Sequence, residues 1–195
     1  MKKLFLAPIV IAFLVLGTSC ANRKITRVDP NLQTDLSGRW NDTDSKLTAN
    51  ALTADVLSQP WRSNFEAVNN RKPVVIMGTI KNKSTEHIDP ITFIKDMEKS
   101  FINAGVVGVV QSGDERTQLR DERTDQQIFS SEETKKKWGR EKGADFMMNG
   151  VITSIVDQYK NKKTVSYQIN LELTNLETNE KVWIGEKEIK KMVKN

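Results

Sequence analysis

The chain has 195 residues, 30 of them Lys or Arg and 25 Asp or Glu, for a net charge of +5 at pH 7. That length suits one domain with a sizeable core, and the charge is too mild to argue for nucleic acid as a partner. With one cysteine and one histidine, an internal disulfide and a zinc site built from Cys and His are both excluded.

Met1-Lys2-Lys3 leads into an apolar run from Leu4 to Leu16, which ends in Gly17-Thr18-Ser19-Cys20. A basic start, about a dozen apolar residues and a small-residue exit predict a secretory signal peptide over 1–19. The run is short of the roughly 20 residues a membrane-spanning helix needs. An exported chain without disulfides has little use for one reactive thiol, so Cys20 calls for another role. Small residues before a cysteine at the cleavage point resemble the lipobox of bacterial lipoproteins, with Gly17 where Leu is usual and Leu16 one step further out. The resemblance implies cleavage before Cys20 and acylation of that cysteine and of the new N-terminus. Two or three acyl chains anchor stably where one does not. Loss of Lys2 and Lys3 leaves 28 basic against 25 acidic residues, a net +3.

Residues 20–34 are polar and read as a flexible tether that reaches at most about 45 Å. A globular domain is expected over 35–195. Leu36–Trp40 reads as a short strand or a tucked loop. Asn41-Asp42-Thr43-Asp44 offers a helix cap, followed by Leu47, Ala51, Ala54 and Leu57 at helical spacing. Pro60 starts a second helix with Trp61, Phe65 and Val68 on one face. Pro73–Ile80 is a continuous apolar run and reads as a buried strand.

Asp89-Pro90 starts the next helix, with a stripe of Ile91, Ile94, Met97 or Glu98, Phe101 and Ile102, and Gly105 as its stop. Val106–Val110 reads as another buried strand. From Ser112 to Lys142 the chain is highly charged. Helices are expected over 114–127 and 131–142, with Leu119, Ile128, Phe129 and Trp138 as anchors and Gly143 ending the second. Ala144–Val156 reads as a strand with an irregularity at Gly150, and Lys160–Lys163 turns it. Val165–Asn175 alternates: Val165, Tyr167, Ile169, Leu171 and Leu173 against Ser166, Gln168, Asn170, Glu172 and Thr174. That is a half-buried antiparallel strand. Glu177–Glu180 turns into a last strand that opens with Val182-Trp183-Ile184.

This order predicts an α/β (α+β) fold: a single mixed sheet with flanking helices and a C-terminal antiparallel meander. Strands 74–80 and 106–111 would pair in parallel through helix 90–104.

The chemistry-bearing residues are few. His87 sits in a polar loop, and with one histidine no Ser-His-Asp or Cys-His set can be assembled. No Walker loop or GxGxxG is present. The pairs Asp114-Glu115, Asp121-Glu122 and Glu132-Glu133 each have Arg or Lys at short helical distance and read as solvated ion pairs. No cofactor, no metal and no catalytic residue are expected. Trp61, Trp138 and Trp183 are candidate contact residues, of which Trp183 reads as core and Trp138 as the one better placed for exposure.

One pattern goes beyond a generic α/β chain. Val74–Thr85 leads through Ile88-Asp89-Pro90 into a helix. Gly143-Ala144-Asp145 precedes an apolar strand, and Leu171–Trp183 forms a hairpin with Thr178, Glu180 and Trp183 at its turn. In this order, over about residues 45–191, the chain resembles the penicillin-binding-protein activator lipoprotein family (LpoB), and the domain is similar to TolB N-terminal and CsgG-like domains. The resemblance implies an outer-membrane lipoprotein facing the periplasm. Such a protein docks on a class A peptidoglycan synthase and activates it allosterically, without catalysis or cofactor. No residue motif specifies the docking surface; the charged segment 112–142 is one candidate. Ala21-Asn22 after the cysteine, with no Asp, resembles an outer-membrane sorting signal. The alternative is an envelope assembly or secretion lipoprotein of the CsgG type. It ranks lower because its pore-forming hairpins need a second long alternating pair, which this chain lacks.

Overall fold

A computed structural model describes residues 25–137 and 139–194. The predicted signal peptide, Cys20 and Trp138 lie outside the described residues. The chain divides into two units, Met1–Leu32 and Gln33–Asn195. In the first, residues 25–32 are exposed, and Asp29 makes a small turn by accepting from the Asn31 N–H with its side chain and from the Leu32 N–H with its carbonyl.

The second unit contains helix α1 (Asp42–Ser58), helix α2 (Trp61–Asn69), strand β1 (Val74–Asn82), helix α3 (Ile91–Ala104) and strand β2 (Gly108–Val110). Helix α4 (Gly113–Phe129) and strands β3 (Phe146–Tyr159), β4 (Lys162–Asn175) and β5 (Lys181–Lys194) follow. The sheet order is β2-β1-β3-β4-β5. β1 pairs in parallel with β2 and β3, and β3-β4-β5 is an antiparallel meander. The expected mixed sheet, its parallel β1–β2 pair and its C-terminal meander are all present.

Alternation along β4 sets which face is buried. Val165, Tyr167, Ile169, Leu171 and Leu173 join one core with Leu52 and Val56 of α1 and Phe93, Met97 and Phe101 of α3. Among the described residues the core falls entirely within Gln33–Asn195, as expected of a unit that can fold by itself.

The helix caps follow the sequence, but the buried faces do not. Asn41 and Asp44 form the reciprocal capping box, with Asp44 N–H to Asn41 Oδ1 at 3.2 Å and Asn41 N–H to Asp44 Oδ2 at 2.9 Å. Yet α1 buries Ser45, Thr48, Ala49, Leu52 and Val56, while Leu47 is 41% exposed and Ala54 is exposed. Apolar residues lie all round this helix, so two polar contacts to β5 fix its rotation. Lys191 Nζ reaches Asp44 Oδ2 at 2.6 Å, and Trp183 Nε1 donates to Asp55 Oδ2 at 2.8 Å. In α3 the buried stripe is Phe93, Met97 and Phe101; Ile91 and Ile102 face solvent. Gly105, at φ 69°, ends α3 with its N–H on the Ile102 carbonyl, as expected of a left-handed stop.

The strand expected over 106–110 shortens to three half-buried residues, because β2 is an edge with one neighbour. The irregularity expected at Gly150 lies across from it in β1. Register skips between Met77↔Met148 and Ile80↔Gly150, and Asn149 Oδ1 accepts the Thr79 N–H at 3.1 Å. Leu36–Trp40 is a loop, with the Trp40 ring edge-on to Tyr167 at 5.5 Å. Lys191 also bonds Asp35 and the Arg39 carbonyl, which ties this loop to β5.

The largest departure is the segment after α4. Residues 131–137 and 139–142 are turns and irregular chain, so Gly143 ends no helix. Consecutive lysines at 135–137 repel one another, and a helix this short without a buried face is marginal in water. α4 itself forms but buries no residue, and its expected anchors Leu119, Ile128 and Phe129 are exposed. Among the described residues no helix is long and apolar enough to cross a membrane.

Candidate functional site

A cleft of about 870 Å³ opens between α2 and the β4–β5 turn. Pro60 starts α2, which sets Trp61 and Phe65 one turn apart on the inner side. The Trp61 Nε1–H donates to the Val56 carbonyl at 2.6 Å, so its ring is fixed. Trp61 and Phe65 both stand edge-on to Phe146 at the start of β3, with centroids 5.1 and 5.4 Å away. These rings make an apolar floor. Val68, 84% exposed, and Leu176 at the β4–β5 turn add apolar walls. Glu177, Glu180 and Lys181 line the rim.

Asp145 organises one end of the cleft. Its carboxylate receives both Arg71 Nη atoms, at 2.6 and 2.7 Å, and the Val74 N–H at 2.8 Å. Its own N–H goes to the Val74 carbonyl and its carbonyl accepts the Leu176 N–H. One residue therefore pins β1, β3 and the β4–β5 turn together. The Arg71 guanidinium stacks over Phe65 at 4.9 Å, which places it on the cleft wall. Desolvation pushes the Asp145 carboxyl up, but the Arg71 and Val74 hydrogen bonds outweigh it and hold its pKa below the ordinary value. It stays an anion at neutral pH and anchors the fold.

The other sequence-singled residues are not brought together. His87 is exposed in a shallow depression with Arg39, Thr85 and Lys163. Trp183 is core, with its N–H satisfied by Asp55, and Trp61 is the cleft floor. Of the three carboxylate pairs, only Glu132 forms an ion pair at short sequence distance, with Lys135. The α4 arginines reach past their helix instead. Arg120 and Arg123 both bond Glu141, at 3.0 and 2.7 Å. Arg120 foremost, with Arg123, pulls the Glu141 carboxyl from an ordinary 4.5 to about 2 against a push from desolvation. Among the described residues no group of three or more His, Cys, Asp or Glu is placed to hold a metal ion. The cleft presents aromatic surface and fixed charges of both signs, which suits recognition of an extended segment rather than bond chemistry. Sequence reasoning missed Arg71 and Glu141; the Gly-Ala-Asp triplet contained Asp145 but gave no sign of its partners.

Residues 44–189 match the family model described as peptidoglycan-synthase activator LpoB. Solved structures similar to the chain include the LpoB C-terminal domain from Salmonella enterica, 14% identical, with a TM-score of 0.37 over 67% of this chain and 93% of that one. The LpoB C-terminal domain from Escherichia coli is 16% identical, with a TM-score of 0.36 over the same shares. Lipoprotein GNA1162 from Neisseria meningitidis is 12% identical, with a TM-score of 0.39 over 62% of this chain and 83% of that one. No curated protein matches the chain in sequence.

Proposed function

Because the chain belongs to the peptidoglycan-synthase activator LpoB family, we propose that it is an outer-membrane lipoprotein, anchored through acylated Cys20 and facing the periplasm, that binds a class A peptidoglycan synthase and activates it allosterically. The observation that carries this reading is the family match, which runs from within α1 to within β5 and so covers most of the folded unit. The basic, apolar and small-residue order of residues 1–20 supports the anchor. The cleft between α2 and the β4–β5 turn is the docking surface, since its fixed aromatic floor and charged rim fit a segment of a folded partner. To act allosterically, the domain must bind the active synthase better than the inactive one.

The test uses residues 33–195 as bait on solubilised membranes of the source organism, followed by a glycan-polymerisation assay. The expected result is recovery of a class A penicillin-binding protein whose polymerisation rate rises when the domain is added. Val68→Glu and Leu176→Glu are expected to abolish both effects without unfolding the domain. Recovery of an outer-membrane secretion component in its place, or no change in rate, overturns the reading in favour of an assembly lipoprotein. Palmitate labelling that persists in Cys20→Ser would remove the proposed anchor.

A further inference from the structure

β5 forms one edge of the sheet. Its inner side is paired with β4 from Lys181 to Lys194, while among the described residues its outer side makes no backbone hydrogen bond. A long open edge is a template for another strand, and charges on it usually discourage pairing. Here the charges are ordered. On the face away from the helices β5 presents Ile184, Glu186, Glu188, Lys190 and Met192, opposite Glu172, Asn170, Gln168, Ser166 and Thr164 of β4. All five β5 residues are exposed.

An antiparallel second copy related by a two-fold axis through Glu188 sets Ile184 against Met192 of the other copy and Glu186 against Lys190 of the other copy. Symmetry repeats each pair. The two exposed apolar residues meet each other, opposite charges meet opposite charges, and Glu188 meets its own copy with Lys190 on the diagonal. On the helix side Trp183 meets Val193, Gly185 beneath the Trp183 ring meets Lys191, and Lys187 meets Ile189. Moving the axis to Lys187 sets Glu186 against Glu188 and Ile184 against Lys190. Moving it to Ile189 sets Ile184 against Lys194 and Glu186 against Met192. The Ile189 register also sets Glu188 against Lys190, but of these three registers only the one centred on Glu188 joins apolar with apolar and acid with base at once, at the cost of one Glu188 pair on the axis.

A second observation agrees. Asp44 and Asp55 of α1 bond Lys191 and Trp183, so α1 runs beside β5. Leu47, Ala51 and Ala54 come next around the helix on that flank, away from the buried Ala49 and Thr53. Leu57, the fourth residue of the apolar stripe that the sequence periodicity marks, packs against the unit's own core, which leaves only this part of the stripe outside it. Above a joined edge this part faces the same part of the other copy.

We propose that the chain self-associates edge to edge through β5, about a two-fold axis at Glu188, joining two five-stranded sheets into one. Sedimentation velocity of residues 33–195 over about a hundredfold range of concentration should show monomer and dimer in exchange. Lys190→Glu and Glu186→Lys should each weaken association about tenfold or more by opposing like charges. The double variant Glu186→Lys/Lys190→Glu should restore it, with circular dichroism confirming that all variants are folded. A single monomer mass at every concentration overturns the proposal, as does a double variant no tighter than the singles. Neither outcome depends on whether a synthase is bound.

Discussion

The β3–β5 meander and the arm from Gly113 to Lys142 both carry many charges, yet the meander supplies much of the core and the described residues of the arm supply none of it. In β4 the charged and polar residues fall on every second position, so five apolar side chains turn together against α1 and α3. In α4 the charges surround the helix, so no face is left to bury. The arm is held by Glu141 accepting Arg120 and Arg123 across its turns. Composition separates these regions in part, because the arm is more densely charged and holds few apolar residues. The period at which the charges recur decides which face each element can bury.

The largest test of that contrast is a pair of truncations. Leu171→Ala, at a fully buried site, should cost about 2–5 kcal/mol of unfolding free energy, while Leu119→Ala on α4 should stay within about 0.5 kcal/mol. Urea denaturation of residues 33–195 reads both, and equal losses would erase the distinction. Asp145 sharpens it from the polar side. Asp145→Ala strands the Val74 N–H and should cost about 1–3 kcal/mol, with Asp145→Asn losing less because an acceptor for that N–H remains. A thermal melt in which the two variants behave alike would deny the backbone contact its role.

The smallest expected effect is at Glu141. Its carboxyl sits lower in the folded chain than in the unfolded one, so its hold on α4 is complete above about 4.5 and is lost as pH falls towards about 2. Acid reaches other carboxylates too, so Glu141→Gln at neutral pH isolates this one. Hydrogen exchange should then quicken in α4 while β4 stays protected. Exchange that quickens equally in both would mean that the arm and the core open together.

Much of the fold is legible in the sequence where a local rule decides it. The alternation of β4, the apolar run of β1, the Asn41 cap and the Gly105 stop each need only near neighbours. Rotation of α1 is not legible, because Asp44 and Asp55 choose their face through residues of the last strand. Residues 131–142 have a helical composition, but their described residues bury no apolar face. The cleft is the least legible part. Phe65 and Arg71, Asp145, and Leu176 come from separate segments, and only the assembled sheet brings them together. The Gly-Ala-Asp triplet carried the family likeness, while its reason, a carboxylate that pins three segments, is visible only in three dimensions.

The Lys191 ammonium joins the beginning of the folded unit to its end. It bonds Asp35 and Asp44, and the Lys191 and Asp44 side chains are only 9% and 3% exposed. Burial alone would push its pKa down, but the two carboxylates outweigh that and keep it charged. A ribosome makes Asp44 well before Lys191. Until the final strand emerges, Asp44 cannot enter the interior without an unpaired charge, which is costly. The first helix of the unit can therefore take its final place only after the last strand has been made.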